Sequence, residues 1–67
     1  MDIRAALRTG ISLLREASVA SYTLAAELLL LHVVHRERAW LYAHPEELLS
    51  ADGLNKYLSL IERRASG

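Results

Sequence analysis

The stretch Ala25-Ala-Glu-Leu-Leu-Leu-Leu-His-Val-Val34, followed by Arg38-Ala-Trp-Leu-Tyr-Ala-His-Pro45, decides the fold. Its first half is apolar on nearly every side of a helix. A helix of that kind is normally buried at the centre of a core. Leu24, Leu28 and Leu31 share one face, while Leu29, Leu30, Val33 and Val34 cover others. A helix from about Tyr22 to Val34 is therefore expected in the middle of a bundle. On this reading Leu28→Ala should cost roughly 2–5 kcal/mol. The run Leu28–Leu31 is too short to span a bilayer and is flanked by Glu27 and His32.

Outward from this centre the signals stay helical. Ile3, Leu7, Ile11 and Leu14 recur at spacings of three and four, giving one apolar stripe on a helix from about Ile3 to Ala17. Asp2 can cap its first amides. Gly10 lies inside it at a cost of roughly 1 kcal/mol relative to alanine, which a close helix contact would explain. Ser18-Val-Ala-Ser21 reads as a turn, with Ser21 as the next N-cap and Thr23 as the competing choice. A third, short helix from about Glu37 to Ala43 carries Trp40 and Leu41 inward and can carry Tyr42 too. Pro45 ends it, because a residue before proline avoids the helical region. Pro45-Glu-Glu-Leu-Leu49 can add one more helical turn. Ser50 caps a last helix, about Ala51 to Ala65, with Asp52 near its positive end. Leu54, Leu58 and Ile61 form its stripe, with Tyr57 beside them. Arg63 and Arg64 suit its C-terminus and Gly67 can stop it. Alternation at period two does not persist, so the fold class is all-α: a small compact bundle of about four helices.

Sixty-seven residues make one small domain whose single core leaves little spare stability. No cysteine is present, which removes disulfides and thiolate metal sites and fits a cytoplasmic location. The 52% hydrophobic content supplies the packing instead. Eight basic and eight acidic residues balance to zero, which argues against electrostatically driven nucleic-acid binding. No signal peptide is evident at the N-terminus.

Candidate chemistry is sparse. His32 and His35 can share a helical face, and a metal would need further ligands, for which His44 and Glu27 are the obvious candidates. The spacing is generic, and polar helix edges are the plainer account, so no metal is expected. There is no cysteine nucleophile, no Gly-x-Ser-x-Gly elbow and no glycine-rich phosphate loop. Glu46 and Glu47 are adjacent, and on a helix would point about 100° apart, a poor geometry for shared acid–base work. No catalytic, cofactor-binding or metal residue is therefore expected. Arg4, Arg8 and Arg15 do fall on one face of helix one, opposite its apolar stripe. They are the candidate partner-contact residues, set against an ordinary solvated face with Glu16 nearby. Trp40 is read as core; Tyr22, Tyr42 and Tyr57 are candidates for partial exposure, since their hydroxyls need water or a partner.

The order of segments is itself informative. Ala26-Glu27-Leu28-Leu29, His32-Val33, Arg36 and Arg38, Trp40-Leu41-Tyr42-Ala43, Leu49-Ser50 and Arg63-Arg64-x-x-Gly67 together resemble the N-terminal domain of release-factor glutamine methyltransferases, the HemK/PrmC family. The likeness runs from about Ser21 to the end; helix one matches only as an amphipathic helix. Two positions depart from the family pattern. Ala25 stands where the family often has aspartate, and His35 where a glycine is common. Both concern caps and turns.

The resemblance implies a helical substrate-recognition domain over residues 1–67, with the catalytic domain outside this chain. In the family a Glu-Pro segment and a Rossmann-like methyltransferase domain follow, with the S-adenosylmethionine site and an Asn-Pro-Pro-Tyr motif that holds the target glutamine. None of these lies in the present sequence. The full-length enzyme would methylate the side-chain amide nitrogen of glutamine in the Gly-Gly-Gln loop of peptide-chain release factors. The implied partners are the release factor and the protein's own catalytic domain, with no membrane. The implied cofactor, S-adenosylmethionine, belongs to the full-length enzyme and not to this part. A freestanding helical protein- or nucleic-acid-binding module using Arg4, Arg8 and Arg15 is the alternative, and it predicts salt-dependent binding to DNA or RNA.

Overall fold

In the computed structural model, which describes residues 1–67, the chain forms four helices: α1 Ile3–Glu16, α2 Tyr22–Val34, α3 Arg38–Ala43 and α4 Ala51–Ala65. Helix α2 packs against all three others, and α1 and α4 also pack on each other. No helix is long and apolar enough to cross a membrane.

The start of α1 shows how remote parts of the chain complete one another. The first amides of a helix have no partner within it. Here the Ala5 amide donates to the Asp2 carboxylate at 2.8 Å, the cap read from the sequence. The amides of Ile3 and Arg4 donate to the carbonyls of Glu47 and Pro45 at 2.8 and 2.9 Å. The Leu49 amide donates back to the Met1 carbonyl at 2.9 Å, and Asp2 and Leu48 form an antiparallel bridge. Pro45–Leu49 is thus a turn and a short extended stretch, not the extra helical turn expected. The unpaired amides of α1 hold it open, since a helical turn would withdraw the carbonyls they need.

Helix α1 closes on a Schellman motif. Ser18 turns left-handed at φ 59°, its amide donates to Arg15, and the Val19 amide reaches back to Leu14 at 3.0 Å. Val19 drops into the core as a result. Ser21 does occupy the N-cap position of α2, but its backbone is left-handed at φ 52° and its side chain makes no capping bond. His35 ends α2 at φ 56°, taking a left-handed position that glycine most often fills at helix ends. Ser50 caps α4 as expected, accepting from the Gly53 amide at 3.0 Å.

The core is built around small residues. Along α1 the most buried line is Ile3, Ala6, Gly10 and Leu14, with Leu7 and Ile11 on its flanks. Tyr57 of α4 fills the space this line leaves. It is fully buried, not partly exposed as expected, and its hydroxyl donates to the Ala26 carbonyl of α2 at 3.1 Å. Burial pushes the Tyr57 phenol well above its ordinary value, so the ring stays neutral and donates. Ile61 is buried beside it, while Leu54 and Leu58 are half-buried. A methyl group at Gly10 would overlap the Tyr57 hydroxyl, with Cζ at 2.8 Å and Ile61 Cδ1 at 3.1 Å. Gly10→Ala should therefore lower the urea midpoint, with a net loss of about 1–2 kcal/mol. Overpacking of this kind outweighs the roughly 1 kcal/mol that alanine gains in helix propensity. A higher midpoint would mean that Tyr57 can move aside.

The expected face of α2 is corrected. Its buried residues are Ala26, Glu27 and Leu30, whereas Leu24 and Leu28 remain 42% and 53% exposed. Helix α2 is still the hub of the bundle. Helix α3, however, is six residues long. At a rise of about 1.5 Å per residue it spans less than half the length of α2, and one leucine face stays open. Leu41 of α3 is buried, and Tyr42 points outward at 61% exposure.

Candidate functional site

The three arginines singled out from the sequence sit where the helical period places them. Arg4, Arg8 and Arg15 are all exposed on the outer face of α1, and none makes an ion pair. Glu16 is exposed on the same helix. The strip can meet an anionic surface, and it carries no chemistry of its own.

The four residues weighed as metal ligands do not converge. His32 and His35 lie with ring centroids 6.4 Å apart on the last turn of α2. His44 rests against Trp40 at 5.6 Å, and Glu27 is engaged by Arg38. No three His, Cys, Asp or Glu side chains come together in a way that could hold a metal ion. Glu46 and Glu47 are both exposed, and Glu47 contributes its backbone carbonyl, not its carboxylate, to α1.

Trp40 is half-buried at the edge of the core and not inside it, with the Arg36 guanidinium 5.4 Å from its ring centroid. Tyr22 packs against the core on its inner side. Two open grooves flank α2. One, of about 520 Å³, has polar walls from His32, His35, Asn55, Lys56 and Ser59. The other, of about 280 Å³, is walled by Leu24, Leu28 and Leu29 with Arg64 at its rim. In the first groove no hydrogen bond joins the Ser59 hydroxyl to His32, His35 or Lys56.

The most specific polar arrangement is one the sequence reading did not assemble. Glu27 is completely buried inside the apolar α2. Its Oε1 accepts from Arg38 Nε at 3.0 Å and lies 2.9 Å from Arg38 Nη2. Oε2 is buried and accepts no hydrogen bond. The Arg38 side chain is 60% exposed. A charge-assisted bond of this kind ties α3 to α2. The signal was present in the sequence: a lone carboxylate amid leucines requires a partner if buried. Periodicity did not decide that Glu27 faces inward.

Fold and surface together define a small all-helical domain with exposed cations and open grooves along α2. Residues 5–67 match the family model for the PrmC N-terminal domain. Among similar proteins is a release factor glutamine methyltransferase from Koribacter versatilis, 36% identical over 67 residues, covering 100% of this chain and 24% of the relative. The enzyme of the same name from Shewanella oneidensis is 39% identical over 51 residues, 76% of this chain and 18% of the relative. That from Xylella fastidiosa is 39% identical over 57 residues, 85% of this chain and 21% of the relative. No solved structure matches. The chain belongs to the PrmC N-terminal domain family of release factor glutamine methyltransferases. It spans about a quarter or less of the length of these curated relatives.

Proposed function

We propose that this chain is the release-factor-binding domain of a peptide-chain release factor N5-glutamine methyltransferase. The observation that carries the reading is the match over residues 5–67 to the N-terminal domain of that family. The rest of the enzyme would bind S-adenosylmethionine and transfer its methyl group to the glutamine of the Gly-Gly-Gln loop. The role of the bundle is then positional. Holding the release factor against the catalytic domain turns a bimolecular encounter into an effectively unimolecular step.

The exposed strip Arg4, Arg8 and Arg15 is the first surface to test. Charge reversal at Arg8 and Arg15 in the full-length enzyme should lower kcat/KM for release-factor methylation by about ten-fold, because mutated rim charges slow association. Binding of the methyl donor should be unchanged. Unaltered methylation would mean that another face docks the substrate.

A further inference from the structure

We propose that Arg38, held in place by Glu27, is the anchor for a carboxylate on the docked protein. The proposal rests on the release-factor-binding reading and names the point of contact within it.

A guanidinium has five N–H donors arranged along edges that each match a carboxylate. Arg38 spends its Nε–Nη2 edge on a single oxygen of Glu27. It makes no other hydrogen bond, so the end carrying Nη1 is free to take a second carboxylate. The side chain is 60% exposed and its holder is 0% exposed. Arg38 is thus fixed at its root and open at its tip. A partner that engages it does not have to order a long flexible side chain, which is the usual cost at such contacts. Arg4, Arg8 and Arg15 lack a partner of this kind and would each have to be ordered on binding.

The surroundings fit the same role. Tyr42 lies one turn further along α3 on the same side as Arg38 and is 61% exposed. A planar cation beside an exposed phenol is the composition found at the energetic centres of protein interfaces. The occupant is accordingly an aspartate or glutamate on the surface of a folded protein, flanked by an apolar group that covers the Tyr42 ring.

The test is steady-state methylation of release factor by the full-length enzyme. Arg38→Lys keeps a positive charge on Glu27 but has no second planar edge. It should raise KM for release factor about ten-fold, the loss of one charge-assisted pair, with saturated kcat and methyl-donor affinity unchanged. Tyr42→Ala, at an exposed position that leaves the core intact, should raise the same KM by about three-fold, since it trims only the aromatic side of the contact. An unchanged KM in a folded Arg38→Lys enzyme overturns the proposal. If that variant melts early, an unchanged KM for Tyr42→Ala overturns it instead. Amide hydrogen exchange of the full-length enzyme with and without release factor separates the two ideas. If release factor protects no amide of residues 1–67, the release-factor-binding reading itself fails. If protection appears there and the two point variants leave KM unchanged, only the anchor fails.

Discussion

Leu30→Ala should unfold much of the population at room temperature, with a loss of about 3–4 kcal/mol, whereas Leu28→Ala should cost under about 1 kcal/mol. The two leucines are two positions apart on α2 and chemically identical. Leu30 is 0% exposed and sits in the core cluster; Leu28 is 53% exposed. Removing the Leu30 side chain takes away its transfer energy and leaves a cavity, because the surrounding helices relax only in part. A domain of this size has only about 3–5 kcal/mol in total, so the first loss approaches the whole. Chemical denaturation of the two variants side by side is the measurement. Equal losses would place the leucine face of α2 inside, as the sequence alone suggests.

Arg38→Met should destabilise the fold by about 3 kcal/mol, although the substituted side chain is mostly in water. The loss arises at Glu27, which is left buried without its counter-charge. Stranding one member of a buried pair typically costs about 3–5 kcal/mol, and the open Arg38 side lets solvent recover part of that. The double variant Glu27→Leu/Arg38→Met should regain most of the stability, since an apolar pair of similar volume is often as good as a buried ion pair. Thermal melts of the three proteins decide this. An Arg38→Met domain that melts like wild type would show that Glu27 does not depend on the bridge.

Helix boundaries were readable from local chemistry. Asp2, Ser50 and the cluster Ser18–Ser21 mark ends that depend on residues within a few positions. What was not readable is what depends on direction or distance. In α2 nearly every position is apolar, so no period distinguishes the Leu28 face from the Leu30 face. The packing of α1, α3 and α4 on α2 decides it. Likewise Tyr57 looked like a boundary residue because its hydroxyl needs a partner, and that partner is the Ala26 carbonyl, 31 positions away. Gly10 could be recognised as a site of close approach but not matched to Tyr57. Of the proposed binding surface, the exposed strip Arg4, Arg8 and Arg15 followed from helical spacing alone. The Glu27–Arg38 bridge crosses two helices, and the sequence supplies only its separate halves.

The pairing of Ile3 and Arg4 with Glu47 and Pro45 has a consequence in time. Synthesis runs from the N-terminus, so α1 emerges with its first amides open and its capping carbonyls not yet made. About forty residues must follow, which at ordinary translation rates takes on the order of several seconds. Until then the head of α1 can fray, and it becomes secure only as the α3–α4 connection arrives. The head of α1 is therefore made well before the residues that lock it.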